Sequence, residues 1–171
     1  ANLVLDPTML LSKEEWDIVS RPAFKQHKYI LVYQTTVSPL LISIVKKLSK
    51  STGYRVVCIP FPLGGFLKSQ LELTAGPSEW ISLIRDAEIV VTDSFHGSAF
   101  SILYNKNFYV CITDAATRIY NLLNLFKLED RICNDNTQLD LTKKIEWEIV
   151  NTKLADERSK SIAILRAMLG V

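Results

Sequence analysis

Glu88-Ile89-Val90-Val91-Thr92 runs directly into Asp93-Ser94-Phe95-His96-Gly97-Ser98-Ala99-Phe100. After the opening glutamate the first segment is β-branched throughout, with no polar alternation. That is the pattern of a parallel strand covered on both faces rather than of an edge strand with one wet side. Asp93 breaks the run, and Ser94 is a residue type that caps helices by accepting an amide hydrogen bond two or three positions on. Behind it, Ala99, Phe100, Ile102 and Leu103 recur at helical spacing, and Phe108-Tyr109-Val110-Cys111-Ile112 reads as another strand. The segment is a strand, a turn and a helix leading to a second strand.

The same alternation extends in both directions. Upstream, Tyr29-Ile30-Leu31-Val32-Tyr33 is a β-rich run, followed by Ser38 as a cap, Pro39 at the first helical position, and Leu41, Ile44, Val45 and Leu48 on one face. Gly53 ends that helix, and Tyr54-Arg55-Val56-Val57-Cys58-Ile59 is the next strand. Pro77-Ser78-Glu79-Trp80 opens a helix to about Ala87. Downstream, a helix is expected from Arg118 to Phe126. From Leu139 to Leu169 two helical stretches are expected, with Ile145, Ile149, Ile162, Leu165 and Leu169 facing inward. At the amino end, Leu3 to Thr8 has the character of a short strand, and Ser12-Lys13-Glu14-Glu15 has the form of a capping box. Strands separated by helices predict an α/β fold, a Rossmann-like open parallel sheet with helices on both faces. Residues 1–28 read as a connector with a short helix, and 29–171 as the sheet domain ending in helices.

Composition narrows the function classes. Hydrophobic residues make up 48% and charged residues 22% of 171, which suits one packed domain. Twenty Lys+Arg against eighteen Asp+Glu leave a net charge of +2 without a basic stripe, so nucleic acid is not an expected partner. Cys58, Cys111 and Cys133 are widely spaced and odd in number, and read as buried free thiols of a cytoplasmic protein. With two histidines they show no short zinc-ligand spacing, so neither a metal nor a cofactor is expected. No apolar run reaches the length of a transmembrane segment.

In open α/β sheets, ligands bind outside the carboxyl ends of strands, where helix N-termini present unpaired amides. Asp93 to Gly97 lies at such a place. Ser94 and Ser98 offer hydroxyls, Gly97 is small, and His96 would project nearby. By spacing alone the plainer reading is preferred: Ser94 a cap, Asp93 a turn residue, His96 a first-turn side chain held by a neighbour. Likewise Gly64-Gly65 reads as a loop, Lys68, Lys106 and Arg131 as surface charges, and Trp16, Trp80 and Trp147 as core or rim.

The stretch from Val90 to Ile102 resembles the strand, turn and helix of the polysaccharide pyruvyl transferase family. Asp6-Pro7-Thr8, Gly76-Pro77-Ser78-Glu79-Trp80, Arg118 with Leu122 to Arg131, and Ser161 to Leu165 are similar to further parts of it. The resemblance implies the carboxyl-terminal half of a two-domain, GT-B-like transferase of bacterial polysaccharide biosynthesis. It would work at the inner face of the membrane and be inactive without the missing N-terminal domain. His96 would be catalytic, and Ser94, Phe95, Gly97, Ser98 and Arg118 would bind the donor. The implied partners are phosphoenolpyruvate and a carbohydrate acceptor. Better-characterised members carry Arg-Leu-His-Gly where this chain has Ser94-Phe95-His96-Gly97, so the arginine that holds an anionic part of the donor has no counterpart at 94. Two other readings therefore stand beside pyruvyl transfer: the donor half of a nucleotide-sugar glycosyltransferase, and a non-catalytic carbohydrate-binding or assembly module.

Overall fold

A computed structural model describes residues 3–23, 28–36, 38–60, 75–112, 116–135, 137, 139–140 and 143–170. The stretch 61–74, with Gly64-Gly65 and Lys68, lies outside the described residues. The elements in chain order are α1 (Lys13–Val19), β1 (Tyr29–Gln34), α2 (Pro39–Thr52), β2 (Arg55–Pro60), α3 (Pro77–Asp86) and β3 (Ile89–Thr92). There follow α4 (Phe95–Leu103), β4 (Asn107–Cys111), α5 (Thr117–Leu125), β5 (Ile132–Cys133) and α6 (Trp147–Leu169).

The five strands form one all-parallel sheet in the order β2-β1-β3-β4-β5. The chain steps from β1 to β2 on one side and returns to β3 on the other, so the crevice above β1 and β3 is the point where winding reverses. The alternate residues of each strand serve two cores. Ile30, Val32, Cys58, Val91, Tyr109, Cys111 and Cys133 pack with the inward stripe of α2, Leu41, Ile44, Val45 and Leu48. Leu31, Val57, Val90, Phe108 and Val110 pack on the opposite face with residues of α3, α4, α5 and α6. This is the expected Rossmann-like architecture, with helices on both faces.

Local chemistry sets the helix ends. Ser38 Oγ accepts from the Leu41 amide, and Gly53, at φ +72°, closes α2 in a left-handed conformation that a side chain would disfavour. The capping box of α1 is formed in both directions, Glu15 N–H to Ser12 Oγ at 3.2 Å and Ser12 N–H to Glu15 Oε2 at 2.7 Å. The three tryptophans are partly buried against the core; Trp16 meets Phe100 at 5.1 Å between centroids, and Trp80 meets Phe100 at 4.8 Å.

The structure departs from the sequence reading in four places. Leu3 to Thr8 makes no strand: Pro7 has no amide for a ladder, and Asp6 caps a 3₁₀ turn over Pro7–Met9 instead. The carboxyl end is one helix, α6, rather than two stretches. Its inward stripe is Val150, Leu154 and Ser161, which leaves Ile149 66% and Leu169 75% exposed. β5 has only two residues, too few to show a period. Finally, Lys106 and Arg131 are not free surface charges. Lys106 donates to the Arg85 carbonyl at 2.7 Å, and burial pulls its pKa down. Arg131 is buried, with its guanidinium on Asn107 Oδ1, the Lys143 carbonyl and the Asp130 carboxylate.

Candidate functional site

Three elements converge at the carboxyl edge of the sheet. β3 ends at Thr92, and the Asp93 carboxylate turns back across the winding-reversal crevice to the loop after β1. There it accepts from the amides of Thr35 at 2.6 Å and Thr36 at 2.8 Å, and from Thr36 Oγ1 at 2.8 Å. Ser94 then caps α4, its Oγ accepting from the Gly97 amide. The Ser94 amide donates to Thr92 Oγ1 at 3.0 Å. The turn is thus closed by its own side chains.

The six residues singled out in the sequence divide into two groups. Ser94, Gly97 and Ser98 are buried. Ser98 donates its hydroxyl to the Ser94 carbonyl at 3.0 Å, and a Cβ at Gly97 would collide with Thr92 Oγ1 and stand 2.9 Å from Thr92 Cβ. The small residues therefore let α4 lie directly on β3. Phe95, His96 and Arg118 form the second group, on the outside. The Arg118 Cζ stands 4.2 Å from the centroid of the Phe95 ring, and the Phe95 and His96 rings meet edge to face at 5.4 Å. His96 is 49% and Arg118 69% exposed at the side chain.

A residue whose role the sequence did not disclose joins this group. Asp6, 13% exposed at its side chain, accepts from the Arg118 guanidinium at 3.0 Å, and its Oδ1 lies 3.9 Å from His96 Nε2. The only local signal for it is an aspartate directly before proline, which marks a turn. Nothing local indicates that the turn packs beside α4 and α5. Beside Asp6 and Arg118 opens a groove of about 370 Å³ whose walls are largely apolar, among them Leu5, Met9, Phe95, Leu122 and Leu125. An exposed imidazole and an arginine held over an aromatic face together can donate a proton and hold an anion.

The family model described as polysaccharide pyruvyl transferase matches residues 1–114. The chain belongs to that family. No curated protein and no solved structure matches it. The match takes in Asp6 and the whole Asp93 to Ser98 segment, and it ends before α5 and Arg118. As a member of the polysaccharide pyruvyl transferase family the chain is a transferase domain, and its Rossmann-like sheet is the scaffold that presents the Phe95–His96–Arg118 group. Among the described residues no helix is long and apolar enough to cross a membrane.

Proposed function

We propose that the chain is the carboxyl-terminal half of a two-domain, GT-B-like enzyme that transfers pyruvate from phosphoenolpyruvate to a sugar hydroxyl of a surface polysaccharide or its precursor. Residues 1–28 lead in from the other domain, 29–171 form this half, and the cleft closes only when both halves are present. The work takes place in the bacterial cytoplasm, at the inner face of the membrane. The observation that carries the reading is the convergence of His96 and Arg118, from α4 and α5, at the carboxyl edge of the sheet.

Ketal formation begins when His96 delivers a proton to the methylene carbon of phosphoenolpyruvate, leaving a cationic centre at the adjoining carbon. A sugar hydroxyl attacks that centre and gives up its proton. A second hydroxyl then displaces phosphate and closes the ring, its proton leaving with the phosphate. Arg118 balances the charge of the donor and of the departing phosphate. With serine at 94, Arg118 is the cation in this group that can take the anion-holding role.

Asp93 favours this reading over a nucleotide-sugar donor. A diphosphate at the winding-reversal crevice would use the Thr35 and Thr36 amides, and these are already bonded to the Asp93 carboxylate, whose charge opposes a phosphate. The convergence of His96 and Arg118 likewise argues against a module without chemistry. The test is phosphorus NMR of the complete enzyme with phosphoenolpyruvate and candidate acceptors. Phosphate release should depend on the acceptor and fall by about 10² or more in His96→Ala. A fully active His96→Ala enzyme, or thermal stabilisation by a nucleotide sugar and not by phosphoenolpyruvate, would overturn the proposal.

A further inference from the structure

Three segments distant in the sequence meet at one carboxylate. Asp6 comes from the turn before α1, His96 from α4 and Arg118 from α5. Asp6 is the least exposed of the three side chains and the most firmly held. Its Oδ1 accepts from the Thr8 amide at 3.1 Å and the Thr8 hydroxyl at 2.8 Å. Its backbone belongs to a segment fastened at both ends. The Leu5 amide donates to Ser161 Oγ of α6 at 2.9 Å, the Met9 amide donates to the Asp6 carbonyl at 2.8 Å, and Met9 itself is fully buried. Arg158 of α6 adds hydrogen bonds to the carbonyls of Met9 and Leu11, both at 2.9 Å.

A cap needs one oxygen and no charge. The second oxygen of Asp6 goes instead to Arg118, at 3.0 Å. One edge of the guanidinium is therefore held by Asp6 and one face by the Phe95 ring at 4.2 Å, and among the described residues its remaining N–H groups have no partner. An arginine that is 69% exposed would otherwise sample many rotamers, most of which would hold a bound anion out of line with the His96 proton. The other oxygen of the same carboxylate, Oδ1, stands 3.9 Å from His96 Nε2.

We propose that Asp6 is a positioning residue: it fixes Arg118 and His96 relative to each other, so that the anion holder and the proton donor act on one substrate molecule. The proposal rests on the reading of His96 and Arg118 given above. It assigns Asp6 no contact with the substrate.

The variant that separates positioning from capping is Asp6→Asn in the complete enzyme, because asparagine keeps an oxygen for Thr8 and loses the charge that holds Arg118. With phosphoenolpyruvate and acceptor, kcat should fall about tenfold or more while KM for phosphoenolpyruvate changes by less than about threefold. In an Arg118→Met background, Asp6→Asn should cost little further, because the partner it positions is gone. Arg118→Lys keeps the charge without the fork and probes the same clamp with the turn intact, whatever the folding of the Asp6 variant. It should also lower kcat about tenfold. Unchanged kcat in Asp6→Asn or in Arg118→Lys, with His96→Ala inactive, overturns the positioning role alone. Full activity in His96→Ala overturns the site itself.

Discussion

Gly97 sits where α4 comes down on β3, and the room that a side chain would take is filled by Thr92. Adding one methyl there must push the helix off the strand or turn Thr92 out of its bond to the Ser94 amide. Gly97→Ala should therefore destabilise the domain by about 1–3 kcal/mol, read as a lower midpoint in urea, even though alanine favours helix. A midpoint equal to wild type would mean that the contact relaxes freely. From the sequence, Gly97 and Ser98 read as small residues that let a ligand approach. That they are small was legible; that the close neighbour is Thr92 was not, because strand and helix cross only in the fold. His96 was legible as a first-turn side chain, but its facing Asp6 carboxylate lies 90 residues earlier in the chain, and nothing local to either residue shows that they meet.

At the scale of elements, α6 shows how a helical stretch can be assigned the wrong bounds and the wrong inward face. Its sequence holds apolar residues on more than one side, so Ile149 and Leu169 compete on paper with Val150 and Leu154 for the core. Packing decides between them: Val150 and Leu154 are buried against the core shared with α4 and α5, and Ser161 takes the Leu5 amide. Leu154→Ala should cost about 2–4 kcal/mol, while Ile149→Ala should stay within about 0.5 kcal/mol of wild type in the same denaturation experiment. Comparable losses for the two would contradict this orientation. α2 reads true because it carries a single apolar stripe, Leu41, Ile44, Val45 and Leu48, and a recognisable start in Ser38 and Pro39. β5 had neither, being two residues long and defined only by its pairing with β4.

For the whole molecule, burial of acidic hydrogens sets a pH dependence. Burial pushes the Cys58 thiol up to about 11, and raises the hydroxyls of Tyr29, Tyr104 and Tyr109 above the usual tyrosine range. These groups keep their protons in the folded chain at pH values where the unfolded chain has lost them. Their contribution is complete below the unfolded values and is lost as pH rises through the folded ones. Lys106, lowered by burial, and Cys133, lowered by its hydrogen bond with Cys111, act in the opposite sense but are fewer than the raised groups. Global stability should therefore fall as pH rises from about 9 toward 11, with a shallower slope in Cys58→Ala, measured as the urea midpoint at successive pH values. A slope unchanged by Cys58→Ala would remove that thiol from the account.

Taken by itself, the sequence determined what depends on neighbours within a few turns: four of the five strands, the helices between them, the caps at Ser38, Gly53 and Ser94, and the alternation that requires a parallel sheet with helices on both faces. It also placed His96 just past the carboxyl end of a strand, since strand, turn and cap are contiguous from Glu88 to Gly97. Only the tertiary structure decided what those residues face. The Asp93 carboxylate crosses to Thr35 and Thr36, Arg131 is buried at the start of β5, and Asp6 stands between His96 and Arg118. The physical reason is the range of the forces involved. Hydrophobic period and capping repeat along the chain and can be read from it, whereas a charge–charge contact leaves no period, and its partner is set by how the layers pack.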